Sequence, residues 1–78
     1  MKLQALMNLE HALLYASDEA DYTQEGECTV DAEYNFLAGY IDAIRELKLI
    51  TEEEASNYRN KALNACLNGE ERCKGVRA

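Results

Sequence analysis

The sequence has no proline and no tryptophan, and it contains only four glycines and one histidine in 78 residues. Because proline is the strongest helix breaker and glycine the next, their scarcity leaves long segments free to form helices. No run of about 18 apolar residues is present, so a membrane-spanning helix is not expected. Basic residues are absent between Lys2 and Arg45, which argues against a nucleic-acid-binding patch in this half of the chain.

Cysteine occurs three times, and the odd number does not favour a closed set of disulfides. The N-terminal segment lacks the apolar core of a secretory signal, because Asn8, Glu10 and His11 interrupt it. Both observations indicate a reducing, cytoplasmic environment. We expect Cys66 to be a small core residue and Cys73 to be an exposed thiol in a C-terminal tail.

Helix-forming residues dominate what is present, chiefly alanine, leucine and glutamate. Apolar residues recur at helical spacing in three segments, and this periodicity stops in an acidic stretch after the first. We therefore predict an all-α fold, a single three-helix domain over residues 1–78. The predicted elements are helix 1 at about 3–20, a long acidic loop at 21–29, helix 2 at about 30–49, helix 3 at about 52–68 and a tail at 69–78.

The clearest local signal lies between the second and third predicted helices. Thr51 followed by Glu54 has the spacing of a capping box, and Ile50 with Ala55 can form a hydrophobic staple around it. So short a junction predicts that helices 2 and 3 fold back on each other as an αα-hairpin. Thr29 is the expected N-cap of helix 2, and Gly69 the expected terminator of helix 3.

The net charge of −7 is concentrated in one half of the chain. Residues 1–44 carry nine acids and one base, whereas residues 45–78 carry six acids and seven bases. Such a negative field attracts basic protein surfaces and repels nucleic acid and anionic lipid. Helix 3 also begins with three glutamates, which phosphate would repel, so it is not expected to bind DNA. The predicted partner-binding surface comprises Asp18, Glu19, Asp21, Tyr22, Glu25, Glu27, Asp31 and Glu33.

The apolar arcs of helices 1 and 2 are wider than a lone three-helix bundle needs. Helix 2 carries two adjacent apolar stripes, which predicts contact with more than one neighbour. We therefore expect self-association, most simply as a symmetric homodimer. The predicted oligomer interface comprises Leu6, Leu13, Phe36, Leu37, Tyr40 and Ile41.

No catalytic residue, metal ligand or cofactor is assigned from the sequence. The single histidine, His11, falls on the polar side of helix 1, and a nucleophilic pair with Cys28 is less common than a plain surface histidine. The acidic stretch lacks the alternating ligands and the terminal glutamate of an EF-hand. These residues favour a protein that works by contact over an enzyme.

The stretch from Tyr34 to Glu54, YNFLAGYIDAIRELKLITEEE, resembles a pattern in small proteins of phages and bacterial mobile elements. In those proteins an aromatic-rich helix ends in Leu-x-Leu-Ile-Thr and leads into an acid-capped helix. The resemblance covers about a quarter of the chain. It implies a phage-type inhibitor, such as an anti-CRISPR or anti-restriction protein, that acts in the cytoplasm of a bacterial host. Such proteins block a nucleic-acid-handling machine by occupying its basic surface.

Three functions follow as expectations. The first is a non-enzymatic inhibitor or adaptor that docks on a basic protein surface. The second is a structural or assembly protein that acts by homo-oligomerisation. The third is a small-ligand binder, for instance of a nucleotide, with a pocket between subunits lined by Tyr34, Tyr40 and Tyr58.

Overall fold

The structure is a computed structural model that describes residues 1–23 and 28–77, with the side chains of 76 and 77 left out. The all-α prediction with three helices is confirmed, and no strand occurs in this described part of the chain. A π-helical turn directly continues the first helix. The elements are α1 (Lys2–Leu14), the π-turn (Tyr15–Glu19), α2 (Val30–Glu46) and α3 (Glu52–Arg77).

The first helix changes its winding near its C-terminal end. The sequence predicts one helix to about Ala20, but regular α-helix ends at Leu14 and the N–H of Ala20 donates to the carbonyl of Tyr15 at 2.8 Å. This five-residue step is the hydrogen bond of a π-helix, which widens the turn and rotates the residues that follow it. As a result Ala16 and Ala20 are fully buried against α3, while Asp18 and Glu19 face solvent.

The second helix begins where its capping residue predicts. The Thr29 hydroxyl accepts a hydrogen bond from the N–H of Ala32 at 3.1 Å, which satisfies one of the free donors at the helix start. Asp31 and Glu33 lie in the first turn, where the positive end of the helix dipole favours acids.

The second helix ends three residues before its predicted end at Leu49. Lys48 adopts φ of 62°, the left-handed conformation that stops a right-handed helix. The N–H of Leu49 donates to Ile44 at 3.0 Å and the N–H of Lys48 donates to Arg45 at 2.9 Å. These two bonds form a Schellman motif, which is usually built on glycine. Lysine carries no signal for such a stop, which explains why the sequence did not predict it.

The third helix begins with the predicted capping box. The N–H of Glu54 donates to the Thr51 hydroxyl at 3.1 Å, and the N–H of Thr51 donates to the Glu54 carboxylate at 2.9 Å. That backbone hydrogen bond from Thr51 holds the pKa of Glu54 below its usual value. Arg45 contacts Glu52 at 2.6 Å across the junction, so that the end of α2 and the start of α3 are joined by an exposed ion pair.

The third helix continues well past its predicted end at Asn68. Gly69 was expected to terminate it and residues 69–78 to form a tail, but α3 extends unbroken to Arg77. No described glycine has a positive φ, so Gly69 does not act as a helix stop. It is buried instead, because Ala16 of the π-turn and Tyr22 after the π-turn lie directly on it. Close approach, not termination, therefore accounts for a glycine at this position.

The core lies where the three helices meet. Its largest fully buried side chains are Leu9 of α1, Leu37 and Ile41 of α2, and Cys66 of α3. The third helix otherwise contributes small residues to the core, among them Ala55, Ala62 and Ala65, and can therefore pack closely. Among the described helices, none combines the length and the apolar character that crossing a membrane requires.

Candidate functional site

The C-terminal end of the π-turn is held by a guanidinium group from the far end of the chain. The Nε of Arg72 donates to the carbonyl of Ser17 at 3.0 Å, and its Nη2 donates to the carbonyl of Ala20 at 2.6 Å. The last carbonyls of a helix have no partner within the helix, and a cation at this end is favoured by the helix dipole. Arg72 therefore caps α1 and its π-turn from α3.

Tyr22, Gly69 and Cys73 complete this arrangement. The Tyr22 hydroxyl donates to the carbonyl of Ala16 at 2.8 Å, and the Tyr22 N–H donates to the Cys73 sulfur at 3.3 Å. A Cβ built on Gly69 would overlap the Ala16 carbonyl oxygen and the Tyr22 ring, so that only glycine fits. We refer to Gly69, Arg72 and Cys73 of α3 as the clamp.

Four exposed carboxylates lie on the π-turn, on the segment after it and in the first turn of α2. We refer to Asp18, Glu19, Asp21 and Asp31 as the acidic edge, and all four are exposed. Thr23 donates its hydroxyl and its N–H to Asp21 at 2.6 and 3.0 Å, and these bonds hold the pKa of Asp21 below its usual value. Asp21 is therefore anionic at neutral pH. Of the other predicted acids, Glu33 is half-buried, and Glu25 and Glu27 lie outside the described residues.

Tyr15 links the start of α2 to the end of α1. Its hydroxyl lies 3.8 Å from the Cys28 sulfur, and this contact raises the pKa of Tyr15, with smaller contributions from Glu33 and Glu19. Glu19 of the π-turn and Glu33 of α2 therefore lie near the same hydroxyl. These two carboxylates therefore contribute to one side of the molecule.

A shallow hollow of about 310 Å³ opens beside the acidic edge, lined by His11, Leu14, Asp18 and Glu19. Leu14 is 57% exposed and supplies an apolar wall next to two carboxylates. A lysine or arginine side chain combines an alkyl stem with a charged head, so both of its parts find a partner in such a hollow. His11 lines this hollow, and its predicted position on the polar side of α1 agrees with its exposure.

Tyr22 is engaged within the chain. The sequence analysis includes it in the partner-binding surface, but its ring covers Gly69 and its hydroxyl donates to the carbonyl of Ala16. Burial raises the pKa of Tyr22, in keeping with its inward position. Tyr15, which is 43% exposed, is the aromatic residue available beside the acidic edge.

The predicted oligomer interface is divided between the core and the surface. Leu13, Leu37 and Ile41 are buried within the chain itself, so their assignment to a subunit interface is corrected. Leu6 is half-buried and packs against the same core. Phe36 remains 63% exposed.

Tyr40 lies at the edge of an apolar groove between α1 and α2. Its hydroxyl donates to the carbonyl of Ala5 at 2.9 Å, which fixes the ring against α1. The groove has a volume of about 430 Å³. It is lined by Met1, Gln4, Ala5, Asn8, Tyr40, Ala43, Ile44, Leu47 and Leu49, none of which carries a charged side chain.

The three tyrosines of the expected ligand pocket lie apart within one chain. Tyr34 packs against the core and Tyr40 lines the apolar groove. Tyr58 lies in a separate depression of about 190 Å³, with Lys61 placed 5.1 Å from its ring centre. A pocket built from all three between two subunits stays a prediction.

The thiols correct one expectation and confirm another. Cys66 is fully buried, as predicted, and burial raises its pKa. Cys73 was expected to be an exposed tail thiol, but it is buried because Tyr22 and Ala20 lie against it. Among the side chains that the structure describes, no group of three His, Cys, Asp or Glu residues could hold a metal ion.

Sequence reasoning missed the clamp, although the sequence contained a signal for it. The apolar seam of α3 continues through Ala62, Cys66, Gly69 and Cys73 in steps of four, three and four, which is helical spacing beyond the expected end at Asn68. Because Gly69 was interpreted as a helix terminator, this continuation of α3 was not predicted. Arg72 had no sequence signal, because its partners are backbone carbonyls from a distant segment.

Two surfaces thus distinguish this chain, the acidic edge beside the clamp and the apolar groove between α1 and α2. Comparison of the chain with protein-family models, with curated proteins and with solved structures gave no match.

Proposed function

We propose that this chain is a non-enzymatic inhibitor or adaptor that docks on a basic protein surface through its acidic edge. The proposal rests on one observation: the carboxylates of the edge are exposed, while the neighbouring cation, Arg72, is bonded to backbone carbonyls. Arg72 directs its donors to the carbonyls of Ser17 and Ala20, so it is engaged by the backbone and does not pair with Asp18 or Glu19. Arg72 does act on Asp21, whose pKa its charge helps to lower, but Asp18 and Glu19 form no ion pair within the described part of the chain and stay available to a partner.

The charge distribution favours electrostatic steering. Nine of the fifteen acids lie in residues 1–44 with a single base, so the field of the first half is strongly negative. Proteins with oppositely charged surfaces associate about 10-fold to 1000-fold faster than uncharged partners do, and salt reduces this effect. Steering needs charges that are exposed, as Asp18, Glu19, Asp21 and Asp31 are.

The clamp favours binding in a second way, by fixing Asp18, Glu19 and Asp21 of the edge before a partner arrives. A flexible acidic loop loses conformational entropy when it binds, whereas a segment already held by Arg72, Tyr22 and Gly69 loses less. The hollow beside the edge adds a place where a basic side chain from the partner can contact Leu14 and both Asp18 and Glu19. Tyr15 supplies an exposed aromatic ring close by.

The class of partner follows from the resemblance of the Tyr34–Glu54 stretch to phage and mobile-element proteins. In that setting the partner is a nucleic-acid-handling defence complex of a bacterial host, and the acidic edge competes with phosphate for the basic surface of that complex. Negative charge supports this choice over direct nucleic-acid binding, because the edge repels phosphate.

The test compares two variants with the same loss of charge. The edge variant carries Asp18→Asn, Glu19→Gln and Asp31→Asn, and leaves Asp21 in place because of its bonds to Thr23. The control variant carries three substitutions at exposed acids away from the clamp, Glu10→Gln, Glu46→Gln and Glu53→Gln. Immobilised wild-type chain is used to capture basic proteins from a bacterial lysate, and the association kinetics of each captured protein are then measured.

We expect the edge variant to lose the captured partner and to associate with it at least about 10-fold more slowly, with a flatter dependence on salt. The control variant should stay within about twofold of wild type. Equal losses in both variants would mean that net charge, not the edge, controls binding. Capture that is unchanged in the edge variant would refute the proposal.

A further inference from the structure

Two neighbouring residues of α3 hold the π-turn and the segment that follows it. Arg72 donates to the carbonyls of Ser17 and Ala20, and the Cys73 thiol donates to the same Ala20 carbonyl at 3.5 Å. The Cys73 sulfur also accepts the N–H of Tyr22 at 3.3 Å. These four hydrogen bonds hold the part of the chain that carries three of the four carboxylates of the acidic edge.

The contacts of the clamp depend on one another. The Tyr22 ring lies on Gly69, where no Cβ fits. Cys73 is only 5% exposed, because Ala20 and Tyr22 cover its sulfur. Ala20 is also the acceptor of Arg72 at 2.6 Å, so a movement that uncovers the sulfur breaks that bond as well. The clamp therefore has a closed state and an open state that differ in all of these contacts at once.

The clamp buries less apolar surface than the core does. The largest fully buried side chains are Leu9, Leu37, Ile41 and Cys66, and none of them belongs to the clamp. The clamp holds its segment by hydrogen bonds and by the close approach at Gly69 instead. Segments with few buried apolar contacts open at a lower free energy than a core does. The clamp is therefore able to open while the three helices stay packed.

Opening of the clamp changes the geometry of the acidic edge. In the closed state Asp18 and Glu19 lie in the π-turn, whose last carbonyls are held by Arg72. In the open state these carbonyls lose their partner, so the two carboxylates move relative to each other and to Asp21. A basic surface then orders them at an entropic cost, which weakens its binding. Such a ligand therefore prefers the closed state and lowers the population of the open state.

We propose that the clamp is a conformational latch for the acidic edge, in which opening of the clamp and binding of a basic surface oppose each other. This inference rests on the proposed function, because it takes a basic surface as the ligand of the edge. Coupling between two sites in a protein is typically about 5-fold to 150-fold, and it is the same in both directions. The edge is exposed to solvent, so we expect a factor at the lower end of this range, about 5-fold. Displacing this turn of α3 weakens binding at the edge without unfolding the chain.

Alkylation of Cys73 measures how often the clamp opens, because the buried sulfur reacts only in the open state. Iodoacetamide is the reagent, since it is uncharged and is not repelled by the edge. Mass spectrometry of the digested chain reads Cys73 separately from the other two thiols. Octalysine is the probe for a basic surface, and fluorescence anisotropy of a labelled form measures its binding. At saturating octalysine we expect Cys73 to react about 5-fold more slowly than in its absence.

The edge variant and the control variant locate this effect on the surface. The edge variant should lose the protection of Cys73 at the same octalysine concentration. The control variant has lost the same number of charges, and it should keep the protection within about twofold of wild type. Loss of protection in both variants would mean that net charge, not the edge, closes the clamp, and would overturn the proposal.

Gly69→Ala measures the coupling in the reverse direction. Because the added methyl group overlaps the Ala16 carbonyl and the Tyr22 ring, this variant holds the clamp open, and circular dichroism checks that its helices persist. We expect octalysine to bind it about 5-fold more weakly than wild type, which is the factor by which octalysine slows alkylation. Gly39→Ala is the matched control, because its methyl group meets nothing within 4 Å, and its affinity should stay within about twofold of wild type. If Gly69→Ala unfolds, the alkylation rates of wild type and of the edge variant still decide the question.

The outcomes separate the latch from the proposed function. Octalysine that does not bind wild type, or that binds the edge variant equally well, would refute the proposed function and the latch together. Octalysine that binds at the edge but leaves the alkylation rate of Cys73 unchanged, or raises it, would overturn the latch alone. Slower alkylation with an unchanged affinity for folded Gly69→Ala would mean that the peptide merely covers the sulfur, and would also overturn the latch.

Discussion

Substituting Gly69 by alanine tests the clamp more directly than any other single change. The added methyl group overlaps the carbonyl oxygen of Ala16 and the ring of Tyr22. A backbone carbonyl cannot rotate away as a flexible side chain can, so the π-turn and the segment after it must move off α3. That movement removes the hydrogen bonds from Tyr22 to Ala16 and from Arg72 to the carbonyls of Ser17 and Ala20.

The magnitude follows from two opposing effects. Three hydrogen bonds at about 1 kcal/mol each give a loss of about 3 kcal/mol. Replacing a glycine inside a helix with alanine gains about 1 kcal/mol. We therefore expect Gly69→Ala to lower the free energy of unfolding by about 2 kcal/mol, which agrees with the usual range for overpacking.

Urea unfolding followed by far-UV circular dichroism measures this change. Gly39→Ala is the control, because it makes the same substitution in a helix where the methyl group meets nothing within 4 Å. The control should raise the free energy of unfolding by up to about 1 kcal/mol when measured at a concentration where the chain is monomeric. If Gly69→Ala stabilises the protein as Gly39→Ala does, then Gly69 does not pack closely against Ala16 and Tyr22, and the reasoning is refuted.

Two further predictions concern the end of α2 and the thiols. Lys48→Gly should stabilise the chain by up to about 1 kcal/mol, because φ of 62° is strained for lysine and not for glycine. Glu46→Gly, two residues earlier in regular helix, should instead lower the free energy of unfolding by about 1 kcal/mol. A urea midpoint that moves in the same direction in both variants would contradict the left-handed conformation of Lys48. With an aromatic disulfide reagent, the half-buried Cys28 should react first and the buried Cys66 and Cys73 only after opening, so Cys28→Ser should remove the fast phase. Equal rates for all three thiols in the native protein would refute the buried position of Cys73.

Local signals in the sequence predicted the parts of the fold that depend on neighbouring residues. Thr29 and Thr51 cap α2 and α3 as expected, because a cap is complete within about four residues. The all-helical class followed from composition and apolar spacing for the same reason.

The failures share a different cause, since each depends on residues far away in the sequence. Gly69 has the sequence character of a helix terminator, and only the packing of the π-turn on α3 makes it an interior residue. Tyr22 lies in an acidic stretch, so its neighbours in the sequence favour a place in the partner-binding surface. Only its contact with Cys73, which is 51 residues away, shows that it is engaged within the chain. Of the candidate site, the exposed acids were predicted and the clamp that fixes them was not.

The clamp also has a consequence for the order in which the chain assembles. Arg72 contacts Ser17 across 55 residues of chain, whereas Arg59 contacts Asp42 across 17 and Arg45 contacts Glu52 across seven. Loop closure costs more entropy for longer loops, by about 1 kcal/mol between spans of 17 and 55 residues. We therefore expect α2 and α3 to come together first and the segment after α1 to dock last. The part of the acidic edge with Asp18, Glu19 and Asp21 is then the last to form and the first to open, so its amide protons should exchange with solvent sooner than those in the centre of α3.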